Sequence, residues 1–180
     1  TLWLPCTSAT SARLYKKRLM EHARKTGFPE EVNLGFSCHD FSMRGMAGLD
    51  AAVISGMAHM TSFCGSETIP AIEALEHYYN ADVTKELVAA TVPATEHSVM
   101  CAGGEEDEIK TFKRLINDLY TSGFISIVSD TWDFWQVGEK FLPKLKVDIM
   151  KRDGRVVIRP DSGDPVDIIC GLRTNPQYHT

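Results

Sequence analysis

The residues best suited to chemistry in this sequence surround one histidine, His97. Glu96 is its immediate neighbour, and two aspartates, Asp130 and Asp161, each follow an apolar run. A carboxylate beside an imidazole fixes its tautomer and stabilises its cation, which acid–base or nucleophilic chemistry requires. The sequence therefore predicts a reactive histidine supported by at least one of these carboxylates.

Two arginines and a phenylalanine extend this set towards a ligand. Arg44 and Arg159 supply positive charge suited to a phosphate or a polar carbonyl group. Phe41 offers a flat apolar face on which an aromatic substrate can stack. These three residues are therefore candidates for substrate binding.

Each candidate also has an ordinary structural interpretation. Glu96 faces away from His97 if the segment is extended, because neighbours in a strand point to opposite sides. Asp130 is equally well placed to cap a helix, and the segment 159–163 is a plausible turn. Phe41 taken alone fits a core better than a site. The functional interpretation rests on the placement of all these residues after successive apolar runs.

Those apolar runs are the expected strands of the fold. Segments 124–128 and 156–158 are the clearest, because they are rich in β-branched and aromatic residues. Segments 33–37, 60–63 and 88–92 are weaker candidates. Each of the five ends just before a loop with ionisable or aromatic residues, so each strand is expected to deliver a candidate residue.

Helical periodicity fills the intervals between the strands. Ser11 and Thr131 are the expected N-caps of two of these helices, and Gly27 is an expected C-terminal stop. The helices are expected over about 11–25, over 50–60, after 66–68, from 105 to 119, and from Thr131 onwards.

Strands that alternate with helices indicate an α/β fold with a largely parallel sheet. In such folds, and especially in barrels, the C-terminal ends of the strands converge on one face. We therefore expect the candidate residues to meet in one pocket, although they lie far apart in the sequence. The glycine motifs of P-loop and Rossmann proteins are absent from the sequence.

Composition narrows the class of protein. The 180 residues are 43% hydrophobic and 24% charged, as in an ordinary globular domain. The net charge of -5 argues against general nucleic-acid binding, and no apolar run approaches the length of a membrane span. No secretory signal opens the chain, and the five cysteines form no C-x-x-C pair. A cytoplasmic location is expected, with no nucleic-acid or membrane partner.

Both ends of the chain look like cuts within a larger protein. The sequence begins inside an apolar segment without an initiator methionine, and it stops soon after a strand-and-turn unit near Cys170. We therefore expect residues 1–180 to be an incomplete catalytic domain, with both flanking parts of the parent chain missing. By itself such a chain is expected to be inactive.

Two motifs are specific when they occur together: Val-Pro-Ala-Thr-Glu-His-Ser at 92–98 and Arg-Pro-Asp-Ser-Gly at 159–163. With other matching segments, they resemble the nicotinamide phosphoribosyltransferase family, in the family's order and with similar spacing. The likeness runs from about Leu2 to Asp167. The other matching segments are 2–17, 39–45, 65–68 and 128–130.

The resemblance implies both the fold and the reaction. Members are type II phosphoribosyltransferases with an irregular α/β barrel, so residues 1–180 would be an incomplete α/β-barrel catalytic domain. They transfer a phosphoribosyl group from phosphoribosyl pyrophosphate to nicotinamide, giving nicotinamide mononucleotide and pyrophosphate in NAD salvage. Mg2+ accompanies phosphoribosyl pyrophosphate and ATP, and no organic cofactor is tightly bound. ATP hydrolysis is coupled through a phosphohistidine, and the active site lies at a homodimer interface.

The resemblance also assigns the catalytic roles. His97 resembles the phosphorylated histidine, Asp130 the carboxylate that supports it, and Asp161 the residue near the ribose. The chemistry agrees, because breaking the bond to pyrophosphate builds positive charge on the ribose that a nearby carboxylate stabilises.

The substrate contacts follow from the same matching. Phe41 resembles the ring that stacks on nicotinamide, opposite a tyrosine of the partner subunit. Arg44 resembles a phosphate contact, Arg159 a contact to the amide or ribose, and Ser126 a residue that lines the nicotinamide tunnel. Glu67 stands where the family has an aspartate that accepts the amide N–H. Its carboxylate should repel the carboxylate of nicotinic acid and so favour the amide.

Three alternatives remain open. The first is a nicotinate phosphoribosyltransferase, with the same chemistry and a carboxylate substrate. The second is a non-catalytic fragment or a domain retained for dimerisation. The third is a metal-dependent barrel hydrolase that uses His39, His97 and Asp161, although the sequence lacks the closely spaced histidine ligands typical of such sites.

Overall fold

A computed structural model describes residues 3–28 and 34–173 of the chain. The chain divides into two compact units, Thr1–Thr91 (unit 1) and Val92–Thr180 (unit 2). None of the helices among the described residues is long and apolar enough to cross a membrane. The single catalytic domain expected over 1–180 stays a prediction.

Unit 1 places helices around a short pair of parallel strands. The strands pair His39 with Gly65 and Asp40 with Ser66. Short 3-10 turns at Leu34–Phe36 and Met43–Gly45 flank the first strand. Its longer elements are α1 (Trp3–Thr26), β1 (His39–Asp40), α2 (Leu49–Met60), β2 (Gly65–Ser66) and α3 (Pro70–Tyr79).

Unit 2 is built on a longer parallel pair, in register from Ser122 with Asp153 to Val128 with Arg159. Its strands are β3 (Ser122–Val128) and β4 (Asp153–Arg159). Its helices are α4 (His97–Cys101), α5 (Glu108–Arg114), which continues as a π-helix to Leu119, α6 (Phe134–Gln136), which continues as a π-helix to Phe141, α7 (Leu142–Met150) and α8 (Pro165–Cys170).

The α/β class is confirmed by this alternation of helices with parallel strand pairs. The two clearest expected strands, 124–128 and 156–158, lie within β3 and β4. The strand pairs in the described residues are open and form no closed barrel, so closure into a barrel stays a prediction.

The weaker strand expectations were wrong or only partly right. Segment 33–37 forms a 3-10 turn where it is described, and Asn33 lies outside the described residues. Segment 60–63 ends α2, because the backbone amides of Ser62 and Phe63 donate to the carbonyl of His59. Segment 88–92 is reduced to one bridge, from Ala90 to Gly65 in β2. Such short apolar runs fit several backbone states, and tertiary contacts decide among them.

Two expected N-caps were also wrong. Ser11 lies inside α1, which already includes Trp3 and accepts Pro5 in its first turn, where a missing N–H costs little. Asp133 rather than Thr131 caps α6, because its carboxylate accepts the backbone N–H groups of residues 135 and 136. The expected stop at Gly27 does follow the end of α1, with a φ of 68°.

The core of unit 2 explains why β3 holds its position. The last four residues of β3, 125–128, are all buried, as expected of a parallel strand covered on both faces. Arg152 fixes the other end of the strand, since its guanidinium donates to the carbonyls of Ile116 and Gly123, each at 2.9 Å. The buried core cluster consists of Met100, Phe112, Leu115, Ile116, Ile125, Ile127, Val128, Val137, Phe141 and Leu145.

Unit 1 has a smaller core, between α2 and α3. Met60, Ala71 and Leu75 are its buried members. Helix α3 is well delimited: Pro70 opens its first turn, and Asn80 ends it in the left-handed conformation with its N–H on the carbonyl of Leu75. The start of α3 is thereby fixed directly after the loop that carries Glu67.

One buried carboxyl in unit 2 lacks a partner. Glu108, the first residue of α5, is fully buried, and neither carboxyl oxygen has a hydrogen-bond partner among the described residues. Burial, together with the negative charges of Glu105 and Asp133, raises the pKa of Glu108 to about 7. Because the neutral form is favoured in the folded state, this side chain makes stability depend on pH.

We expect Glu108→Gln to stabilise the full-length protein more at pH 8 than at pH 5. Neutral Glu108 contributes fully to the free energy of unfolding below pH 4.5, the pKa of this side chain in the unfolded chain. The contribution is lost as the pH rises through about 7, its pKa in the folded protein. Glutamine stays neutral, so the advantage of the variant grows by up to about 3 kcal/mol across this window. Thermal unfolding at both pH values tests this, with the exposed Glu73→Gln as control. Equal pH dependence in wild type and Glu108→Gln would contradict it.

Candidate active site

Three elements of unit 2 bring the histidine cluster together. His97 is the first residue of α4 and follows a bridge between Ala94 and Ser126 of β3. Asp130 and Asp161 each lie two residues beyond the end of a strand, β3 and β4 respectively. Because these strands run parallel and in register, their C-terminal ends place the two aspartates side by side.

Both aspartates contact the imidazole of His97. Its Nε2 lies 3.2 Å from Asp130 Oδ1, and its Nδ1 lies 4.0 Å from Asp161 Oδ2. The Asp130 side chain is fully buried, whereas 46% of His97 and 51% of Asp161 side-chain surface is exposed. The cluster therefore joins a buried, fixed carboxylate to an imidazole that a ligand can reach.

Hydrogen bonds keep Asp130 ionised. Its Oδ2 accepts from the Ser162 hydroxyl at 2.6 Å and from the Asp161 backbone N–H at 2.8 Å. Burial alone would raise the pKa of Asp130, but the bonds from Ser162, Asp161 and His97 outweigh it and hold that pKa below its ordinary value. Asp130 is therefore an ionised acceptor at neutral pH.

This charge state fixes the tautomer of His97. An ionised carboxylate only accepts hydrogen bonds, so the proton of neutral His97 lies on Nε2, facing Asp130. The lone pair then lies on Nδ1, on the side of Asp161. The geometry presents Nδ1 as the nucleophilic or basic atom of the cluster.

The alternative interpretations of Glu96 and Asp130 are resolved by their contacts. Glu96 is exposed and accepts a hydrogen bond from the Ser98 hydroxyl, so it is not the carboxylate beside His97. Asp130 serves His97 and the 161–162 turn, and the following helix takes its cap from Asp133 instead.

Thr95 joins the histidine segment to the remaining candidates of unit 2. Its hydroxyl accepts from the Val128 N–H at 3.0 Å, and its N–H donates to the carbonyl of Ser126 at 2.9 Å. Its own carbonyl accepts from Arg159 Nη2 at 2.7 Å. Ser126, which is buried in β3, and Arg159, at the end of β4, are thus held against the segment that carries His97.

The other three candidates belong to unit 1. Phe41 directly follows β1 and Glu67 directly follows β2, and the Glu67 N–H donates to the carbonyl of Asp40 at 3.0 Å. Arg44 lies nearby in the 3-10 turn Met43–Gly45 and is exposed. Phe41 is 41% exposed, so its interpretation as a core residue was wrong. That all eight candidates line one pocket stays a prediction.

Asp40 organises the loops of unit 1 that carry these candidates. Its buried carboxylate accepts from the Thr68 hydroxyl at 2.8 Å, the Ser66 hydroxyl at 3.1 Å and the Ser42 N–H at 2.9 Å. Burial alone would raise the pKa of Asp40, but these bonds lower it overall. The loops after β1 and β2 are therefore tied to one charged group.

A histidine supports the ring of Phe41. The rings of His39 and Phe41 lie 4.4 Å apart and tilted by 39°. His39 Nε2 also lies 3.3 Å from the Thr91 hydroxyl. This contact limits the positions that Phe41 can adopt and leaves part of its ring surface open.

Sequence reasoning missed three supporting residues: Ser162, Thr95 and Asp40. Thr95 lies in the motif at 92–98 and Ser162 in the motif at 159–163. The motifs indicate that these positions matter, but they do not predict the hydrogen bonds that the two side chains make. Asp40 lies inside the matching segment 39–45, and nothing in the sequence indicates that three hydrogen bonds converge on its carboxylate. No group of three or more His, Cys, Asp or Glu among residues 3–28 and 34–173 is placed to hold a metal ion.

Comparison with protein families gives one match that covers most of the chain. The model of the nicotinate phosphoribosyltransferase (NAPRTase) family matches residues 36–178. This range includes all eight candidate site residues.

Curated relatives match almost the whole chain. A protein named nicotinamide phosphoribosyltransferase from Acinetobacter baylyi is 53% identical over 176 residues, which are 94% of this chain and 34% of the relative. A protein of the same name from Mycoplasma pneumoniae is 38% identical over 180 residues, 99% of this chain and 36% of the relative. A third protein of this name, from Mycoplasma genitalium, is 37% identical over 177 residues, which are 98% of this chain and 35% of the relative. The chain thus spans about a third of the length of these relatives.

Proposed function

Because the chain belongs to the nicotinate phosphoribosyltransferase family, we propose that the full-length protein transfers a phosphoribosyl group to nicotinamide. The products are nicotinamide mononucleotide and pyrophosphate, and the pathway is NAD salvage. The choice of nicotinamide follows the names of the curated relatives and the carboxylate at Glu67. A protein of the relatives' length carries this activity, and the 180-residue chain alone is expected to be inactive.

The single observation that carries the proposal is the cluster of His97, Asp130 and Asp161. A reachable imidazole lies between one buried, ionised carboxylate and one exposed carboxylate. This arrangement suits a histidine that accepts a phosphoryl group next to a carboxylate that faces a sugar. A purely structural ion pair would not require the imidazole and Asp161 to stay half exposed.

In the transfer step, the ring nitrogen of nicotinamide forms a bond to C1 of the ribose while the bond from C1 to pyrophosphate breaks. The electron pair of the broken bond leaves with pyrophosphate, and Mg2+ bound to the substrate would neutralise part of its charge. Positive charge develops on the ribose, and Asp161, exposed at the end of β4, is our candidate for its stabilisation. Arg159 is our candidate for the contact to the amide or ribose, since Thr95 already orients its guanidinium.

In the coupled step, His97 Nδ1 attacks the γ-phosphorus of ATP, and ADP leaves with the electron pair of the broken P–O bond. The ring keeps its proton on Nε2 and gains a positive charge, which Asp130 stabilises by accepting the hydrogen bond from that N–H. Water later cleaves the P–N bond and releases phosphate, which restores the neutral imidazole. The nucleophiles of this coupled step are thus His97 and a water molecule.

Unit 1 supplies the proposed contacts to nicotinamide. Phe41 presents a half-open ring on which a pyridine can stack, and Glu67 accepts the amide N–H. Arg44, exposed in its 3-10 turn, is our candidate for a phosphate contact. Ser126 of β3 in unit 2 is our candidate for the lining of the nicotinamide tunnel.

We expect Phe41→Ala to weaken nicotinamide binding by about 1–3 kcal/mol, the scale for loss of an aromatic stacking platform. Binding of phosphoribosyl pyrophosphate should change much less, because the ring offers nothing to a phosphate. Calorimetric titration of the full-length variant with each ligand measures both effects. Phe28→Ala is a matched control, since Phe28 has a similar exposure of 44% and follows α1. Unchanged nicotinamide affinity in Phe41→Ala would remove Phe41 from the site.

The proposal is tested by product analysis. The full-length protein is incubated with nicotinamide, phosphoribosyl pyrophosphate, Mg2+ and ATP, and the products are identified by mass spectrometry. We expect nicotinamide mononucleotide, pyrophosphate, ADP and phosphate. Absence of nicotinamide mononucleotide under these conditions, with a folded protein, would refute the proposed function.

A second candidate is transfer to nicotinic acid, which the name of the matching family favours. It uses the same cluster in unit 2 and differs only in the contacts to the base. Glu67 argues against it, because its carboxylate would face the carboxylate of the substrate.

We further propose a cytoplasmic homodimer, whose partner subunit contributes a tyrosine opposite Phe41.

A further inference from the structure

Three groups contact the buried Asp130 carboxylate, and Ser162 makes the shortest of these contacts. The Ser162 hydroxyl donates to Oδ2 at 2.6 Å, whereas Oδ1 lies 3.2 Å from His97 Nε2. The two oxygens therefore serve different partners. A rotation of the carboxylate about its bond to Cβ would break both contacts at once.

We propose that Ser162 is a positioning residue that holds Asp130 in the orientation and charge state which His97 requires. This inference rests on the proposed function, because His97 must react for its orientation to matter. In this proposal Ser162 acts through Asp130, whose Oδ2 accepts the hydrogen bond from its hydroxyl.

The need for such a residue comes from the neighbouring charge. Asp161 Oδ2 lies 4.0 Å from His97 Nδ1, so two carboxylates flank one imidazole and repel each other. Such repulsion favours protonation of the buried Asp130 carboxylate. The Ser162 hydroxyl donates to Asp130 Oδ2 and opposes this, so it helps to keep Asp130 ionised beside His97.

Besides the Ser162 hydroxyl, the Asp161 N–H and His97 Nε2 contact the Asp130 carboxylate. The groups that titrate beside it are His97 on α4 and Asp161 after β4. Arg159, the positive group nearby on β4, directs its Nη2 to the carbonyl of Thr95. Hydrogen bonding from Ser162 is the first among the influences that lower the pKa of Asp130 against the effect of burial.

The test compares three variants of the full-length protein. Ser162→Ala removes the hydroxyl at an exposed turn position, so it leaves no cavity. Ser162→Thr keeps a hydroxyl at the same atom position. Ser98→Ala removes a hydroxyl from an exposed neighbour of His97 whose partner is Glu96, and it serves as the matched control.

We measure kcat and KM for nicotinamide from about pH 4 to pH 9, together with thermal unfolding. Ser162→Ala should lower kcat roughly tenfold with little change in KM. It should also move the acid limb of the profile to higher pH, because Asp130 loses the hydrogen bond that most lowers its pKa. Ser162→Thr should keep most of the wild-type profile, and Ser98→Ala all of it.

The outcomes separate this inference from the proposed function. If wild type forms product and Ser162→Ala has a wild-type acid limb, Ser162 does not position Asp130 and the inference is overturned. A fall in kcat at all pH values without a shift of the acid limb, or an equal fall in Ser98→Ala, would likewise reject it. If wild type forms no nicotinamide mononucleotide, the proposed function has failed instead.

Discussion

Replacing His97 with alanine is expected to abolish ATP hydrolysis and to slow nicotinamide mononucleotide synthesis strongly. The variant lacks Nδ1, the atom that Asp130 leaves free for attack on ATP, so no phosphohistidine forms. Loss of an essential nucleophile typically costs several orders of magnitude in rate. The measurements are ADP release and the acid-labile phosphate carried by the protein after incubation with labelled ATP.

The control for this variant is His22→Ala, which removes an exposed histidine from α1. It should keep wild-type ATP hydrolysis and phosphorylation. The ATP hydrolysis rate of Asp130→Asn should lie between those of His97→Ala and His22→Ala, because asparagine keeps a contact to Nε2 but carries no negative charge. Full ATPase activity in His97→Ala would show that another residue accepts the phosphoryl group.

Replacing Glu67 with glutamine is expected to move the preference of the protein from nicotinamide towards nicotinic acid. We expect the carboxylate of Glu67 to accept the amide N–H of nicotinamide and to meet nicotinic acid as a like charge. Glutamine keeps the size, removes the repulsion and can donate to a carboxylate. We expect the ratio of kcat/KM for nicotinamide over nicotinic acid to fall roughly tenfold or more, the effect of about 1.4 kcal/mol.

The backbone of Glu67 makes this substitution informative. Its N–H donates to the carbonyl of Asp40 at 3.0 Å and its carbonyl accepts from Ile69 at 2.9 Å. Glutamate is one methylene longer than the aspartate that the family has at this position. Because the backbone is held, the side chain and the ligand must adjust to the extra length. Glu67→Asp should retain the preference for nicotinamide, and Glu73→Gln on α3 should not change the ratio. A ratio unchanged in Glu67→Gln would mean that Glu67 does not select the base.

The sequence located the cluster of unit 2 because its strands carry strong local signals. Segments 124–128 and 156–158 are rich in β-branched residues, and each is followed by an aspartate two or three positions on. Parallel pairing then dictates that Asp130 and Asp161 lie at the same edge. The sequence analysis expected them beside His97 for the same reason, because His97 also follows an expected strand.

Local patterns failed where tertiary hydrogen bonds determine the structure. Strands β1 and β2 have two residues each, too short for any periodicity, and their loops are fixed by the buried carboxylate of Asp40. The cap of α6 depended on a choice between Thr131 and Asp133, and the carboxylate is the stronger acceptor for two N–H groups. The role of Ser162 requires knowing that the turn after β4 folds back on Asp130.

The most direct test of the central claim is a competition between the two bases. The full-length protein receives nicotinamide and nicotinic acid at equal concentrations with phosphoribosyl pyrophosphate, Mg2+ and ATP, and the two mononucleotides are separated and quantified. The product ratio equals the ratio of the kcat/KM values. We predict nicotinamide mononucleotide in at least roughly tenfold excess, the discrimination that about 1.4 kcal/mol of like-charge repulsion at Glu67 supplies. Equal amounts, or an excess of nicotinate mononucleotide, would contradict the assignment of nicotinamide as the substrate.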